Sequence, residues 1–251
     1  MKNLEDSNDV HTWETIHLEE SGFVADYLAG NNKQKYGIII LGGSEGGKPT
    51  HLACKVAKLG YSVLSLAYFK EGPRLPATLE TIPLEYFEKA KNWLQQRKDI
   101  QEQEVILIGW SKGAEASLLL SSLDTEYKAI VAIAASSEVW PGIITDWRKK
   151  PKSSWSLKGE EIDYLPFIET NSTPTSLTDY YLKSLQNKDI SKTTINLKKI
   201  NIPVLLLSGG KDPVWPSNYM SEIIANELNN QIDTKKPLCL HFNYEEAGHL
   251  L

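Results

Sequence analysis

Short runs of aliphatic and β-branched residues punctuate the chain at residues 36–41 (YGIIIL), 61–68 (YSVLSLAY), 104–109 (EVILIG), 129–135 (AIVAIAA), 203–209 (PVLLLSG) and 238–244 (LCLHFNY). Most are continuous rather than alternating, the pattern of parallel strands covered on both faces. Between them, hydrophobic positions recur at helical spacing. Residues 49–59 put Leu52, Val56 and Leu59 on one face, and residues 83–97 do the same with Tyr86, Phe87, Ala90 and Leu94. Further helices are predicted over 112–123 and 216–228, and Pro83 suits a first helical position. Strand–helix alternation predicts βαβ units around a mostly parallel central sheet, an α/β fold flanked by helices. Weaker patterns over 12–19 and 22–28 predict antiparallel edge strands.

Residues 136–201 break this rhythm. They carry no strand pattern, yet hold Trp140, Trp147, Trp155, Tyr164, Phe167, Tyr180 and Tyr181, with prolines at 141, 151, 166 and 174. A long irregular insertion in a compact domain is usually functional or disordered, and this aromatic content argues against disorder. The expectation is one domain over residues 1–251, with 136–201 as a lid of loops and short helices. Trp140 and Trp147 are the candidates to line a pocket beneath it.

The chemistry is concentrated in VILIGWSKGAEASLLLSSL, residues 105–123, where a buried strand meets Gly-x-Ser-x-Gly and then a small-residue helix. A nucleophile elbow needs this context: a sharp strand-to-helix turn in an unfavourable backbone conformation, with glycines two residues either side to avoid collision. Gly109 and Gly113 hold those places around Ser111. The competing reading is a glycine-lined turn with an idle serine. A serine needs a base, and in this fold acid and histidine follow it in chain order. His11, His17 and His51 precede Ser111, and His241 lies inside the last strand pattern. His249 follows that strand, after Ala247–Gly248, and is the candidate base. Asp212 follows a buried strand and is the candidate acid, where open α/β sheets place functional groups; Glu245, Glu246, Asp163 and Asp179 are the alternatives. Two backbone N–H groups should hold the oxyanion, those of Lys112 and of Ser44 in the glycine-rich loop LGGSEGG. That loop lacks the spacing of a phosphate-binding loop. The Lys112 side chain is expected at the surface or on a substrate anion, not as the base.

Composition narrows the partners. With 27 basic and 32 acidic residues the net charge is −5, and the basic residues are scattered, which argues against nucleic acid and anionic membranes. No apolar run has membrane-spanning length, so no stable membrane association is expected. Two cysteines without CxxC spacing give no metal or redox signal; no metal and no cofactor are expected. The polar, acidic start MKNLEDSNDV has no apolar core of a secretory signal, and a cytoplasmic location is expected.

At this point the motifs resemble the α/β-hydrolase superfamily, and within it the C-terminal catalytic domain of acyl-CoA thioesterases and bile-acid-CoA:amino-acid N-acyltransferases. The carriers are LGGSEGG (41–47), LPATLETIPLEYFEKAKNWL (75–94), GWSKGAE (109–115), SGGKDPVWPS (208–217) and AGHLL (247–251), and the likeness extends over residues 22–251. The resemblance implies Ser111, Asp212 and His249 as a catalytic triad. It also implies acyl transfer from a thioester to water or an amine. The acyltransferase members carry Cys as nucleophile, so Ser111 favours hydrolysis. Such proteins typically add an N-terminal β-sandwich, for which 251 residues leave no room. Their fold also continues into a last helix beyond the histidine, whereas this chain stops two residues after His249. Truncation, impairment or a homodimer covering the last strand would each follow from that. The leading expectation is a serine hydrolase of acyl thioesters or related esters working through an acyl-enzyme. The rivals are a general carboxylesterase or peptidase-like hydrolase, and a non-catalytic binding protein on the same scaffold.

Overall fold

Strands and helices follow one another much as the hydrophobic pattern predicts. The computed structural model describes residues 13–30, 35–146, 148–168, 175–186, 195–230 and 238–251. The elements are β1 (Glu14–Ile16), α1 (Leu18–Ser21), β2 (Val24–Leu28), β3 (Gly37–Leu41), α2 (Thr50–Ala57), β4 (Ser62–Ala67), β5 (Ile82–Pro83), α3 (Leu84–Gln95), β6 (Val105–Trp110), α4 (Lys112–Leu123) and β7 (Tyr127–Ile133). They continue as β8 (Trp155–Leu157), β9 (Glu160–Glu161), α5 (Leu177–Gln186), a 3-10 turn at Leu197–Lys199, β10 (Val204–Gly209), α6 (Ser217–Asn230) and β11 (Cys239–Tyr244).

The main sheet has the order β1-β2-β4-β3-β6-β7-β10-β11. From β4 to β11 all neighbours are parallel, while β1 and β2 add antiparallel, as the weak N-terminal patterns predict. This is the α/β-hydrolase architecture expected from the motifs. Strand β3 pairs with β4 on one side and β6 on the other, so the winding reverses there. The crevice outside the carboxyl ends at such a switch point is where open α/β sheets bind ligands.

The two faces of the sheet are covered unequally. Ile39 and Leu41 of β3, with Val204 and Leu206 of β10, join a large core under α3, α4 and α6. Ile38 and Ile40 face the other way, into a smaller core under α2. Both faces are closed over β3 and β4, which are buried along their whole length. Cover thins toward β11, where Leu240, Phe242 and Tyr244 are 52, 53 and 51% exposed.

Residues 136–201 depart from the expectation of an insertion without strands. Strands β8 and β9 lie within it and join β5 in a separate three-stranded sheet. Each is two or three residues long, too short to show periodicity. Pro83 likewise belongs to β5 and caps α3 in an extended conformation instead of starting the helix.

Candidate active site

Ser111 stands where β6 passes directly into α4, at the switch point. Its backbone is at φ 56° and ψ −118°, a region costly for a residue with a Cβ. Hydrogen bonds fix it there: its N–H donates to the Ile133 carbonyl at 2.8 Å, and its own carbonyl accepts from Ala114 at 2.9 Å and Glu115 at 3.1 Å. The flanking glycines are required by backbone crossing. A Cβ on Gly109 would lie 2.2 Å from the Gly113 carbonyl oxygen, and one on Gly113 would lie 2.3 Å from that of Leu41. Gly43, after β3, also faces Ser111, a Cβ there falling 3.0 Å from the serine's own Cβ.

Asp212 lies in the loop after β10. Its Oδ2 accepts from Ser217 Oγ at 2.6 Å and from His249 Nδ1 at 2.8 Å, and its Oδ1 accepts the Val214 amide at 2.9 Å and the Trp215 amide at 3.3 Å. Burial pushes the carboxyl pKa up, but the hydrogen bonds from His249, Ser217 and Val214 outweigh it, and the net shift is downward. Asp212 is therefore a fixed carboxylate. Because it can only accept, His249 Nδ1 carries the proton and Nε2 keeps a lone pair, the tautomer a general base requires. Of the other acids considered, Glu245, Glu246 and Asp163 are not the partner of His249, and Asp179 pairs with Lys183.

The glycines before Asp212 allow a close backbone crossing. A Cβ on Gly209 would lie 2.1 Å from the Gly248 carbonyl oxygen, and one on Gly210 would lie 2.6 Å from that of Glu245. They let the loop after β10 cross the loop after β11, and the Lys211 N–H seals the crossing on the Ala247 carbonyl at 2.9 Å. Gly248, by contrast, is not required by close packing: a Cβ there meets nothing nearer than 3.7 Å. His241 is an edge-strand residue as expected, hydrogen bonded to Ser208 at 2.7 Å.

His249 is held at a second point. Trp110 Nε1 donates to its carbonyl at 3.1 Å, and the Trp110 and Trp215 rings flank the imidazole with centroids at 6.1 and 6.0 Å. Trp110 precedes Ser111, so one residue couples the Ser111 strand to the segment bearing His249. Neither Trp110 nor Ser217 stood out in the sequence. Adjacency to the serine was the available signal for the first, and a hydroxyl at a helix start shortly after the acid for the second. Among the described residues Ser111 Oγ has no hydrogen-bond partner, His249 included. Contacts of this kind often tighten only when substrate binds.

The proposed oxyanion donors are Lys112, which directly follows Ser111, and Ser44, which follows Gly43 in the loop after β3. Lys112 opens α4, and its amide, like others in a first helical turn, has no intrahelical acceptor. Ser44 is exposed in the turn after β3. That loop is tied by Tyr68, whose hydroxyl donates to the Gly42 carbonyl at 2.6 Å, and by Glu45, whose Oε1 accepts the Gly43 amide at 2.9 Å. The Lys112 side chain is not at the surface. It is 3% exposed, with Nζ 2.7 Å from each carboxylate oxygen of fully buried Glu115. Trp140 is likewise sealed in, packed on Phe167 and Tyr181 with Nε1 donating to Ser136 at 2.8 Å. Trp147 lies outside the described residues. Among the described residues no cluster of His, Cys, Asp or Glu could hold a metal, and no helix is long and apolar enough to cross a membrane.

Comparison with known proteins agrees with this architecture. The family described as BAAT / acyl-CoA thioester hydrolase C terminal matches residues 82–251. Human acyl-coenzyme A thioesterase 6 is 28% identical over 226 residues, covering 86% of this chain and 48% of that protein. Rat acyl-coenzyme A thioesterase 1 is 30% identical over 221 residues, with the same coverage of 86% and 48%. The chain thus spans about half the length of the curated relatives it matches. Among solved structures, the Pyrococcus furiosus esterase Pf2001 superposes with a TM-score of 0.60 at 14% identity, covering 96% of this chain and 85% of that one. A puromycin-hydrolyzing peptidase of Mycobacterium tuberculosis gives 0.67 at 14% identity, covering 99% of this chain and 37% of that one. At such identities these two establish the fold alone.

Proposed function

The chain belongs to the BAAT / acyl-CoA thioester hydrolase C-terminal family, and from that premise we propose that it is a serine hydrolase cleaving acyl thioesters through an acyl-enzyme. Ser111 Oγ attacks the acyl carbon while His249 Nε2 takes its proton. The carbonyl electron pair moves onto oxygen, held by the N–H groups of Lys112 and Ser44. Collapse breaks the C–S bond, and the thiol leaves with the proton from His249. Water then repeats the sequence on the acyl-enzyme and releases the carboxylic acid. Asp212 holds the imidazole in its tautomer and stabilises the cation that forms.

The observation that carries this reading is the 2.8 Å bond from His249 Nδ1 to Asp212 Oδ2, with His249 tied through Trp110 to the neighbour of a serine kept at positive φ. Residues 136–201 are proposed as the cover of the site, supported by the bond from Thr178 Oγ1 of α5 to the Asp212 carbonyl at 3.0 Å. The direct test is labelling with a fluorophosphonate, read by peptide mass spectrometry, beside acyl-CoA turnover. Modification of Ser111 and loss of both signals in Ser111→Ala are expected; undiminished turnover in that variant would refute the proposal. Comparing kcat/KM for a matched acyl-CoA and p-nitrophenyl ester separates thioesterase from carboxylesterase.

A further inference from the structure

The buried pair beneath the elbow is used nowhere in the mechanism above, although it involves the residue next to the nucleophile. We infer that Glu115 is a positioning residue for that reaction, fixing the two oxyanion donors relative to each other; the inference rests on the serine-hydrolase reading.

Glu115 is a hub. Besides Lys112, its Oε1 accepts Trp155 Nε1 at 2.8 Å and the Trp140 amide at 3.3 Å. One carboxylate therefore joins the first turn of α4, the segment after β7 and strand β8 of the small sheet. Lys112 Nζ reaches the Trp140 carbonyl at 3.5 Å and lies over the Trp155 ring, 5.7 Å from its centroid. Ser154 Oγ donates to the same Trp140 carbonyl at 3.1 Å. Trp155 packs on Tyr68 with centroids 5.7 Å apart, and Tyr68 carries the hydroxyl that holds the Gly42 carbonyl. A continuous path of contacts thus runs from the Lys112 residue, through Glu115, Trp155 and Tyr68, to the loop bearing Ser44. One end is a proposed donor, and the other, Gly42, lies two residues before the second.

Burial opposes both charges, raising the Glu115 pKa and lowering that of Lys112, while each partner counters the effect on the other. Taking two charges out of water costs free energy that an apolar pair of the same shape avoids. Stability alone is a poor reason for such a pair. Directional bonds that fix geometry at a reacting centre are a better one, since oxyanion donors work only when held in place before the reaction.

The test uses Glu115→Gln, which keeps an acceptor for Trp155 but leaves Lys112 without its counter-charge, Glu115→Leu, which removes every bond, and Trp155→Phe, which leaves the ion pair intact. Each is titrated with fluorophosphonate to count competent Ser111 sites, and kcat and KM for an acyl-CoA are measured well below the variant's Tm. Per titrated site, kcat should fall about 10- to 100-fold in Glu115→Gln, more in Glu115→Leu, and severalfold in Trp155→Phe. KM should stay within about threefold, because a loss confined to the transition state leaves ground-state binding alone. Wild-type kcat per titrated site, with only Tm or the competent fraction reduced, would make Glu115 merely structural and overturn the inference. Trp155→Phe keeps that comparison open if the Glu115 variants do not fold. Failure of the probe to label Ser111 in the wild-type protein would instead remove the parent reading, and this inference with it.

Discussion

Ser111 and His249, linked through Trp110, come from very different parts of the sheet. Ser111 ends the central strand β6 and starts α4, a helix buried along nearly its whole length. Its place is set by backbone crossings at Gly109 and Gly113, where an added carbon would fall 2.2 and 2.3 Å from backbone carbonyl oxygens. His249 follows the edge strand β11, where Leu240, Phe242 and Tyr244 are about half exposed. Its place is set by hydrogen bonds to Asp212 and Trp110 and by two flanking rings. The proposed nucleophile is thus built into the fold, while the proposed base is attached to it. Crowding the backbone around the first should cost stability as well as rate; loosening the second should cost chiefly rate.

Substitution at Ser111 gives the largest effect. Ser111→Ala should lower turnover by at least ~1,000-fold, with Tm little changed because the strained backbone remains. Ser111→Gly should be equally inactive yet more stable than Ser111→Ala by about 1 kcal/mol, since glycine adopts positive φ without strain. Thermal unfolding of the two variants side by side measures that stored strain; equal Tm values would contradict it.

Asp212→Asn comes next. An asparagine accepts less well and admits the wrong imidazole tautomer, so kcat should drop by roughly 100- to 10,000-fold, while folding at neutral pH is retained. Its pH signature has a definite sign. The Asp212 pKa is lowered on folding, so its contribution to stability is present above the unfolded carboxylate value and lost as pH falls through the folded one. Wild-type Tm should therefore decline on acidification below about pH 4, and the acid limb for Asp212→Asn should be shallower. Parallel acid limbs would show that Asp212 has no such linkage.

Gly113→Ala tests the first half of the comparison. Its new Cβ would meet two backbone carbonyl oxygens, those of Leu41 and Gly42, at 2.3 and 2.5 Å. Neither can rotate away as a side chain would. A loss of about 3 kcal/mol or more is expected in urea unfolding, together with loss of activity. Gly248→Ala, by contrast, should be tolerated, since a Cβ there meets only ordinary contacts.

Much of this contrast was legible in the chain, and the failures have physical causes. The strand–glycine–serine–glycine–helix succession located β6 and α4 because a buried strand and a tight elbow each restrict composition. Asp212 and His249 were placed by their position after apolar runs. Strands β8 and β9 were not legible, because two or three residues, some of them charged, pair only in the context supplied by β5. Lys112 was misjudged because lysine is normally exposed. The available clue was Glu115 three residues on, an oppositely charged neighbour in the otherwise apolar KGAEASLLLSSL. Trp110 escaped notice because its partner is a carbonyl 139 residues away.

That partner makes Trp110→Phe the finest probe of an attached base. Phenylalanine keeps an aromatic ring beside the imidazole and removes one donor, so it loosens the backbone of His249 without touching Asp212. A single neutral hydrogen bond contributes about 1 kcal/mol. A fall in kcat of about fivefold is then the expected scale, with KM and Tm nearly unchanged. Combining it with Asp212→Asn gives the decisive cycle. If both residues act only by holding the same imidazole, the double variant should lose less than the product of the single losses, because the second change disturbs a base already displaced. Multiplicative losses would mean that Trp110 acts on the neighbouring serine instead, and that the chain end is anchored by Asp212 alone.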